Sequence, residues 1–307
     1  MKQITICFLG ILISTCLQAQ DTFSITAIDT ITGEVGSAGA SCIDETAIPT
    51  GCYILSDVKP GIGVIHTQAY WNPANQNYAS SLMDLGLHPE DIIDSLVAHD
   101  VQNNPHIRQY GIIDLQEGSV RRAAYTGVNC DDYKNHILGP NYTIQGNILL
   151  GQEILDSMEI RFNATEGPLA CKLMAALQGA KVIGADTRCF DDGTSSLSAF
   201  LRVAQTDDPA DTLYLDLNVP STPVGMDPID SLQTLVDEWG GCYVSSADKV
   251  RSVLEIGVFP NPASGQVILR WNGDPLLRGA ITLYNVQGEA VFSGSNIYGS
   301  EIRITRD

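Results

Sequence analysis

The sequence is poor in positive charge: 17 Lys and Arg stand against 36 Asp and Glu over 307 residues, a formal net charge of -19. Phosphate binding needs a basic face that releases counterions, so nucleic acid is excluded as a partner, and docking on anionic membranes with it. There is no Cys-x-x-Cys pair, and His66, His88, His99, His106 and His136 show no ligand spacing such as His-x-x-x-His, so no metal is expected. Gly61-Ile-Gly63 and Gly184 do not form a Gly-x-Gly-x-x-Gly between a strand and a helix. A dinucleotide site is therefore excluded and no cofactor is expected. Ser195-Ser196 lacks the Gly-x-Ser-x-Gly surroundings of a serine nucleophile. With 44% hydrophobic and 17% charged residues the chain can bury a core, and its length allows roughly two domains.

Export is written at the N-terminus. Lys2 precedes an apolar run from Ile4 to Leu17, too short for a comfortable membrane span and suited to a secretory signal. Cleavage is placed after Ala19, with Gln20 as the alternative, so the signal covers 1–19. Six cysteines then remain: Cys42, Cys52, Cys130, Cys171, Cys189 and Cys242. An even number in an exported chain permits disulfides in any of 15 connectivities, and buried free thiols are the other reading.

Thr22 to Asp29 alternates hydroxyl and apolar residues, which predicts a half-buried strand, and Val35 to Cys42 returns as its hairpin partner. Further strands are expected near 61–70, 108–114, 121–126, 142–150, 196–204 and 212–217. Helices are expected over 78–87, from Pro89, over 152–163 and 168–177, and from Asp227 to Trp239, with Pro and acidic residues marking several starts. Strand runs broken by helix pairs indicate an α+β or α/β layered sandwich. Paired acids at Asp131-Asp132 and Asp191-Asp192 read as solvated loop charges, with calcium as the alternative.

From about Gly240 the character changes to a linker, 241–256, followed by short strands with Gly and Asn turns, the pattern of a small β-sandwich over 257–307. Phe259-Pro-Asn-Pro262 and Leu283-Tyr-Asn-Val-Gln-Gly288 resemble the type-A C-terminal sorting domain of the Bacteroidetes type IX (Por) secretion system. The resemblance implies that machinery as a partner and a secreted or cell-surface location. Asp307 precedes the closing strand of such domains, so the tail is expected to be incomplete.

Residues 20–240 resemble an uncharacterised bacterial and archaeal family with the fold of N-terminal-nucleophile (Ntn) hydrolases. The stretches that carry this are Thr22-Phe-Ser-Ile25, Gly63-Val-Ile-His-Thr-Gln-Ala69, Arg108-Gln-Tyr-Gly111, Tyr125-Thr-Gly127, Gln145-Gly-Asn-Ile148, Glu166-Gly-Pro-Leu169, Gly184-Ala-Asp-Thr-Arg188 and Asp227-Pro-Ile229, in that order. The resemblance implies a four-layer αββα sandwich. It also implies that Thr22, if it becomes the mature N-terminus, is the nucleophile, with its own α-amine as base. Gln68, Asn72 and Asn147 would then assist catalysis, while Thr67, Gln145, Asp186 and Arg188 would bind substrate. Cleavage after Ala19 or Gln20 leaves residues ahead of Thr22, so the nucleophile needs a second trim. Two readings stay open: a secreted amidohydrolase or peptidase acting on an extracellular amide, or a non-catalytic binder of peptidoglycan or another glycan on the same scaffold.

Overall fold

A computed structural model describes residues 22–209, 211–242, 256–259, 266–271, 279–284, 290–297 and 301–305. The signal, most of the linker, and the turns expected at 260–265 and 285–289 lie outside the described residues. The chain divides into two compact units, Met1–Cys242 and Tyr243–Asp307.

The first unit is α+β. Its larger sheet has the order β10-β9-β2-β1-β8-β7, formed by Leu215–Val219, Ser198–Ala204, Val35–Ser41, Thr22–Ile28, Tyr142–Gly146 and Asn135–Leu138. The smaller sheet is β3-β4-β5-β6, from Ser56–Lys59, Gly63–Gln68, Gln109–Gln116 and Ser119–Thr126. Every pairing in both is antiparallel. Helices α3 (Gln152–Ala164), α4 (Leu169–Ala180) and α5 (Pro228–Trp239) share one apolar cluster with the larger sheet. Helices α1 (Pro73–Asp84) and α2 (Pro89–Ala98) share another with the smaller sheet. A third cluster, with Ile28 and Val35 from one sheet and Val58, Val64 and Ile113 from the other, joins the two sheets.

Strand β1 shows what this stacking does to a sequence pattern. Phe23, Ile25 and Ala27 enter the core under α3 and α4, as their period-2 spacing predicts. Thr22, Ser24 and Thr26 alternate with them and are just as buried. The expectation of a half-buried strand is therefore corrected: the hydroxyl face meets the second sheet instead of water.

Helix α1 starts earlier than the expected Tyr78. Pro73 takes its first turn, and the Asn72 side chain accepts from the Ala74 N–H as a cap. It ends before Gly86, whose φ of 75° suits a residue without Cβ. Strand β8 stops at Gly146 rather than 150, and β10 is displaced to Leu215–Val219. Strands β3 and β7 were not expected; at four residues each they are too short to show a period. The cysteines are split: Cys42–Cys189 and Cys171–Cys242 are disulfides, while Cys52 and Cys130 are buried thiols.

The described residues of the second unit form strands: β11 (Ile256–Phe259), β12 (Gln266–Trp271) and β15 (Glu301–Thr305) in one sheet, β13 (Gly279–Tyr284) and β14 (Ala290–Ile297) in another. Leu283 pairs with Phe292 across the second. No helix among the described residues is long and apolar enough to cross a membrane.

Candidate active site

Thr22 opens β1 at the edge where several strands end. Ser41, the last residue of β2, lies opposite it, Gly146 at the end of β8 lies opposite Phe23, and β4 brings Gln68 over from the other sheet. The Thr22 carbonyl accepts from the Gln68 Nε2 and from the Asn147 backbone N–H, each at 3.2 Å.

Below this rim the space between the sheets is polar. Ser24 Oγ donates to Gln68 Oε1 at 2.6 Å and accepts from Gln145 Nε2 at 2.7 Å. The His66 ring bridges the sheets, with Nδ1 2.9 Å from Ser24 Oγ and Nε2 2.7 Å from Ser37 Oγ. Complete burial depresses its pKa to about 3, so it is a neutral imidazole. Gln145 on β8, two residues before Asn147, is fully buried as Asn147 is, with Oε1 accepting from Thr143. A Cβ on Gly111 would fall on its side-chain amide, which explains a glycine inside β5.

Gln109 organises the network. Its Nε2 donates to the carbonyls of Gly146 (2.9 Å) and Asn135 (3.1 Å) and to Thr126 Oγ1, and its Oε1 accepts from Gln68 Nε2 (2.8 Å) and Asn147 Nδ2 (3.0 Å). Backbone carbonyls only accept, so those of Gly146 and Asn135 fix which end of Gln109 is the amine, and that orients Gln68 and Asn147 in turn. As a result the buried side-chain atom of Asn147 left without a protein partner is Oδ1, an acceptor. One of the two Nδ2 hydrogens of Asn147 goes to Gln109.

The other residues singled out in the sequence fall into three groups. Asp186 is fully buried and caps the turn Thr187–Cys189; its Oδ2 accepts from the Cys42 N–H and from Arg188 Nη2. Cys42 follows Ser41 and is disulfide-bonded to Cys189, so this ion pair is fastened beside the Thr22 rim. Thr67 lies on the opposite face of β4 from His66 and Gln68, the face that holds Ile65 in the cluster under α1 and α2. Asn72 lies four residues beyond Gln68 and caps α1. Thus Thr22, Gln68 and Asn147 are brought together, Asp186 and Arg188 join them through β2, and Thr67 and Asn72 stay outside.

Arg108 anchors the loop that leaves Gln68. It is buried and pairs through Nε with the buried Asp100 at 2.8 Å, while Nη1 donates to the Tyr70 carbonyl. Ala69 and Tyr70 both have positive φ, 50° and 51°, a conformation that persists only where surroundings impose it. Burial works to raise the Asp100 pKa, but hydrogen bonds from Arg108, Asn104 and Asn75 overcome it and hold the carboxyl at about 2. Ser24, His66, Arg108 and Gln109 were not singled out from the sequence. For Ser24 the signal is the hydroxyl residue at every second position of β1; Arg108 and Gln109 stand next to one another and carry no such period.

Two groupings carry no reactive chemistry. Burial lifts the Cys52 thiol to about 12, so it does not supply a thiolate. Cys42, Cys189 and Asp192 lie close enough to hold an ion, but both sulfurs are consumed in the disulfide.

Comparison with known proteins adds the following. A family described as "Family of unknown function (DUF1028)" matches residues 22–232, and one described as "Secretion system C-terminal sorting domain" matches 257–305. No curated protein matches. The crystal structure of a Silicibacter pomeroyi protein of the same DUF1028 family is 24% identical, covers 76% of this chain and 95% of its own, and superposes with a TM-score of 0.57, which shows a common fold. Anbu (ancestral beta-subunit) from Yersinia bercovieri is 12% identical over 76% of this chain and 97% of its own, with a TM-score of 0.34.

Proposed function

The chain belongs to the DUF1028 family of unknown function, and from that premise we propose that it is a secreted Ntn-type amidohydrolase or peptidase. Its C-terminal sorting domain directs it to the type IX secretion machinery and so to the exterior or the cell surface. We read helices, sheet, sheet and helices as the four-layer αββα sandwich of Ntn hydrolases, and the C-terminal strands as a small β-sandwich. The division is a signal over 1–19, the catalytic domain over 20–240, a linker over 241–256 and the sorting domain over 257–307.

The observation that carries the reading is Thr22 itself: the first residue of β1, its carbonyl gripped from two sides, at the rim where Asn147 and the Asp186–Arg188 pair converge. Once exposed as an N-terminus, Thr22 would supply the attacking Oγ, and its α-amine, which ordinarily titrates at about 7.7–8.0, would take the proton. Gln68 and the Asn147 N–H hold the Thr22 carbonyl and so fix the backbone that carries the hydroxyl. Asn147 Oδ1, an acceptor without a protein partner, is suited to hold the new ammonium. Arg188, backed by the buried Asp186 carboxylate, is suited to a carboxylate on the substrate.

The complete burial of Thr22 in the chain favours the alternative, a non-catalytic peptidoglycan or glycan binder on this scaffold. N-terminal sequencing and intact mass of the protein recovered from the medium decide between them. A chain starting at Thr22, with amide hydrolysis lost in Thr22→Ala, is the expected outcome. A chain starting at Gln20 or Asp21 overturns the hydrolase.

A further inference from the structure

At the opposite end of β1, seven residues and roughly 20 Å from Thr22, lies a cleft of about 370 Å³. It is large enough for a small organic ligand. Asp29, Ile31 and Glu34 line it from the turn between β1 and β2, Pro168 from the start of α4, Tyr214 from the segment before β10, and Trp239 from the end of α5.

Its two aromatic rings meet edge to face, with centroids 5.9 Å apart and planes at 83°. Its two carboxylates have no cation: among the described residues no ion pair involves Asp29 or Glu34. Asp29 Oδ1 is taken by the Ile31 and Thr32 N–H groups, which leaves Oδ2. Burial raises the proton affinity of Glu34, Thr32 and Gln205 oppose this by hydrogen bonds, and the like charges of Asp29 and Asp208 add to it. Lys172 lies nearby with its Nζ over the Phe162 ring at 5.8 Å, and it makes no ion pair with either acid. The start of α4 and the end of α5 bring opposite half-charges that offset one another. The cleft is therefore net negative and walled by aromatic rings.

We propose that this cleft binds an organic ammonium group, such as a lysine side chain or a quaternary amine, held by Glu34 and Asp29 against Tyr214 and Trp239. Carboxylates compensate the cation directly, and ring faces attract it by their quadrupole. A neutral sugar would use the rings but would leave both carboxylates without a counter-charge. The acidic field of the whole chain, at -19, draws cations toward it.

The test is calorimetric titration of the full secreted chain with choline, with Nα-acetyl-lysine, with 3,3-dimethylbutan-1-ol, and with a chitin trisaccharide. Dimethylbutanol has the shape of choline without its charge. Choline and acetyl-lysine are expected to bind about tenfold or more tightly than dimethylbutanol. Affinity is expected to fall about tenfold in Glu34→Gln and severalfold in Trp239→Phe, a variant that keeps an aromatic ring in place. Thr22→Ala is expected to bind as the wild type does, which separates this site from the hydrolase reading. Equal binding of choline and dimethylbutanol, binding of the trisaccharide alone, or no binding of either amine would each overturn the proposal.

Discussion

The space between the two sheets is filled by opposite means at its two ends. At one end Ile28, Val35, Val58, Val64 and Ile113 pack as hydrocarbon. At the other Ser24, His66, Gln68, Gln109 and Gln145 fill the same layer with hydrogen bonds. Both ends are buried, so the contrast is one of specificity rather than of burial. Hydrocarbon contact is non-directional and needs only the right volume. Buried polar groups must each find a partner, and that requirement fixes the position of every atom in the set. The directional end lies under Thr22, where a nucleophile would need it.

If this contrast holds, the heaviest damage comes from the ion pair that buttresses the polar end. Asp100→Ala strands the Arg108 guanidinium, whose side chain is only 2% exposed. Breaking such a pair costs about 3–5 kcal/mol, read as a lower urea midpoint. A loss below about 1 kcal/mol would show that Arg108 finds other acceptors, and the polar end would then be no more exacting than the apolar one.

Gln109→Leu comes next. It keeps roughly the volume and removes five hydrogen bonds, leaving Gln68 Nε2 with the Thr22 carbonyl alone and Asn147 Nδ2 without its Gln109 acceptor. The expected loss is roughly 2–4 kcal/mol in urea unfolding. Under the Ntn reading, amide hydrolysis by the folded variant falls as well.

These two residues also show where the sequence stops being legible. Residues Arg108 to Gly111 are recognisable as a stretch shared with a family, and strand β5 is expected there. That Gln109 is a hub cannot be read from it. A polar residue at every second position has the same spelling whether its face meets water or a second sheet, and β1 is misjudged for this reason. Amphipathic helices are easier: Ile92, Ile93 and Leu96 of α2, or Ile229, Leu232 and Val236 of α5, declare one apolar face each. Disulfide pairing depends on which loops meet in space, so six cysteines state only how many pairings exist. Of the site, Thr22, Gln68 and Asn147 are legible through the family resemblance. Thr67 is adjacent to Gln68 in sequence, and the pleat of β4 turns it to the other face.

A pH titration sharpens the comparison further, because only the polar end contains a titrating ring. His66 has a folded pKa of about 3 against 6.5 unfolded. Near pH 5 the unfolded chain therefore binds a proton that the folded chain refuses. Stability from this group is complete above about pH 6.5 and declines as pH falls toward 3, by about 1.4 kcal/mol per unit. Between pH 6.5 and 4.5 the decline is roughly 2–3 kcal/mol. Other acids titrate in the same range, so the quantity to measure is the difference between wild type and His66→Gln across that window. A flat difference would mean that His66 is protonated in the fold, and the neutral bridge between Ser24 and Ser37 would have to be abandoned.

The smallest change belongs to the apolar end. Ile113 is fully buried in the inter-sheet cluster, and Ile113→Val removes one methylene without creating an unpaired polar atom. The surrounding Ile28, Val35 and Val64 can relax into part of the space, so the expected cost is about 0.5–1.5 kcal/mol. Under the Ntn reading, hydrolysis should be unchanged, because hydrocarbon packing transmits a small volume change without reorienting a donor. The paired measurement is urea unfolding together with amide turnover. A variant that unfolds as expected but loses turnover would show that the two ends are coupled through β4 and β5, and the division between a packing end and a positioning end would fail.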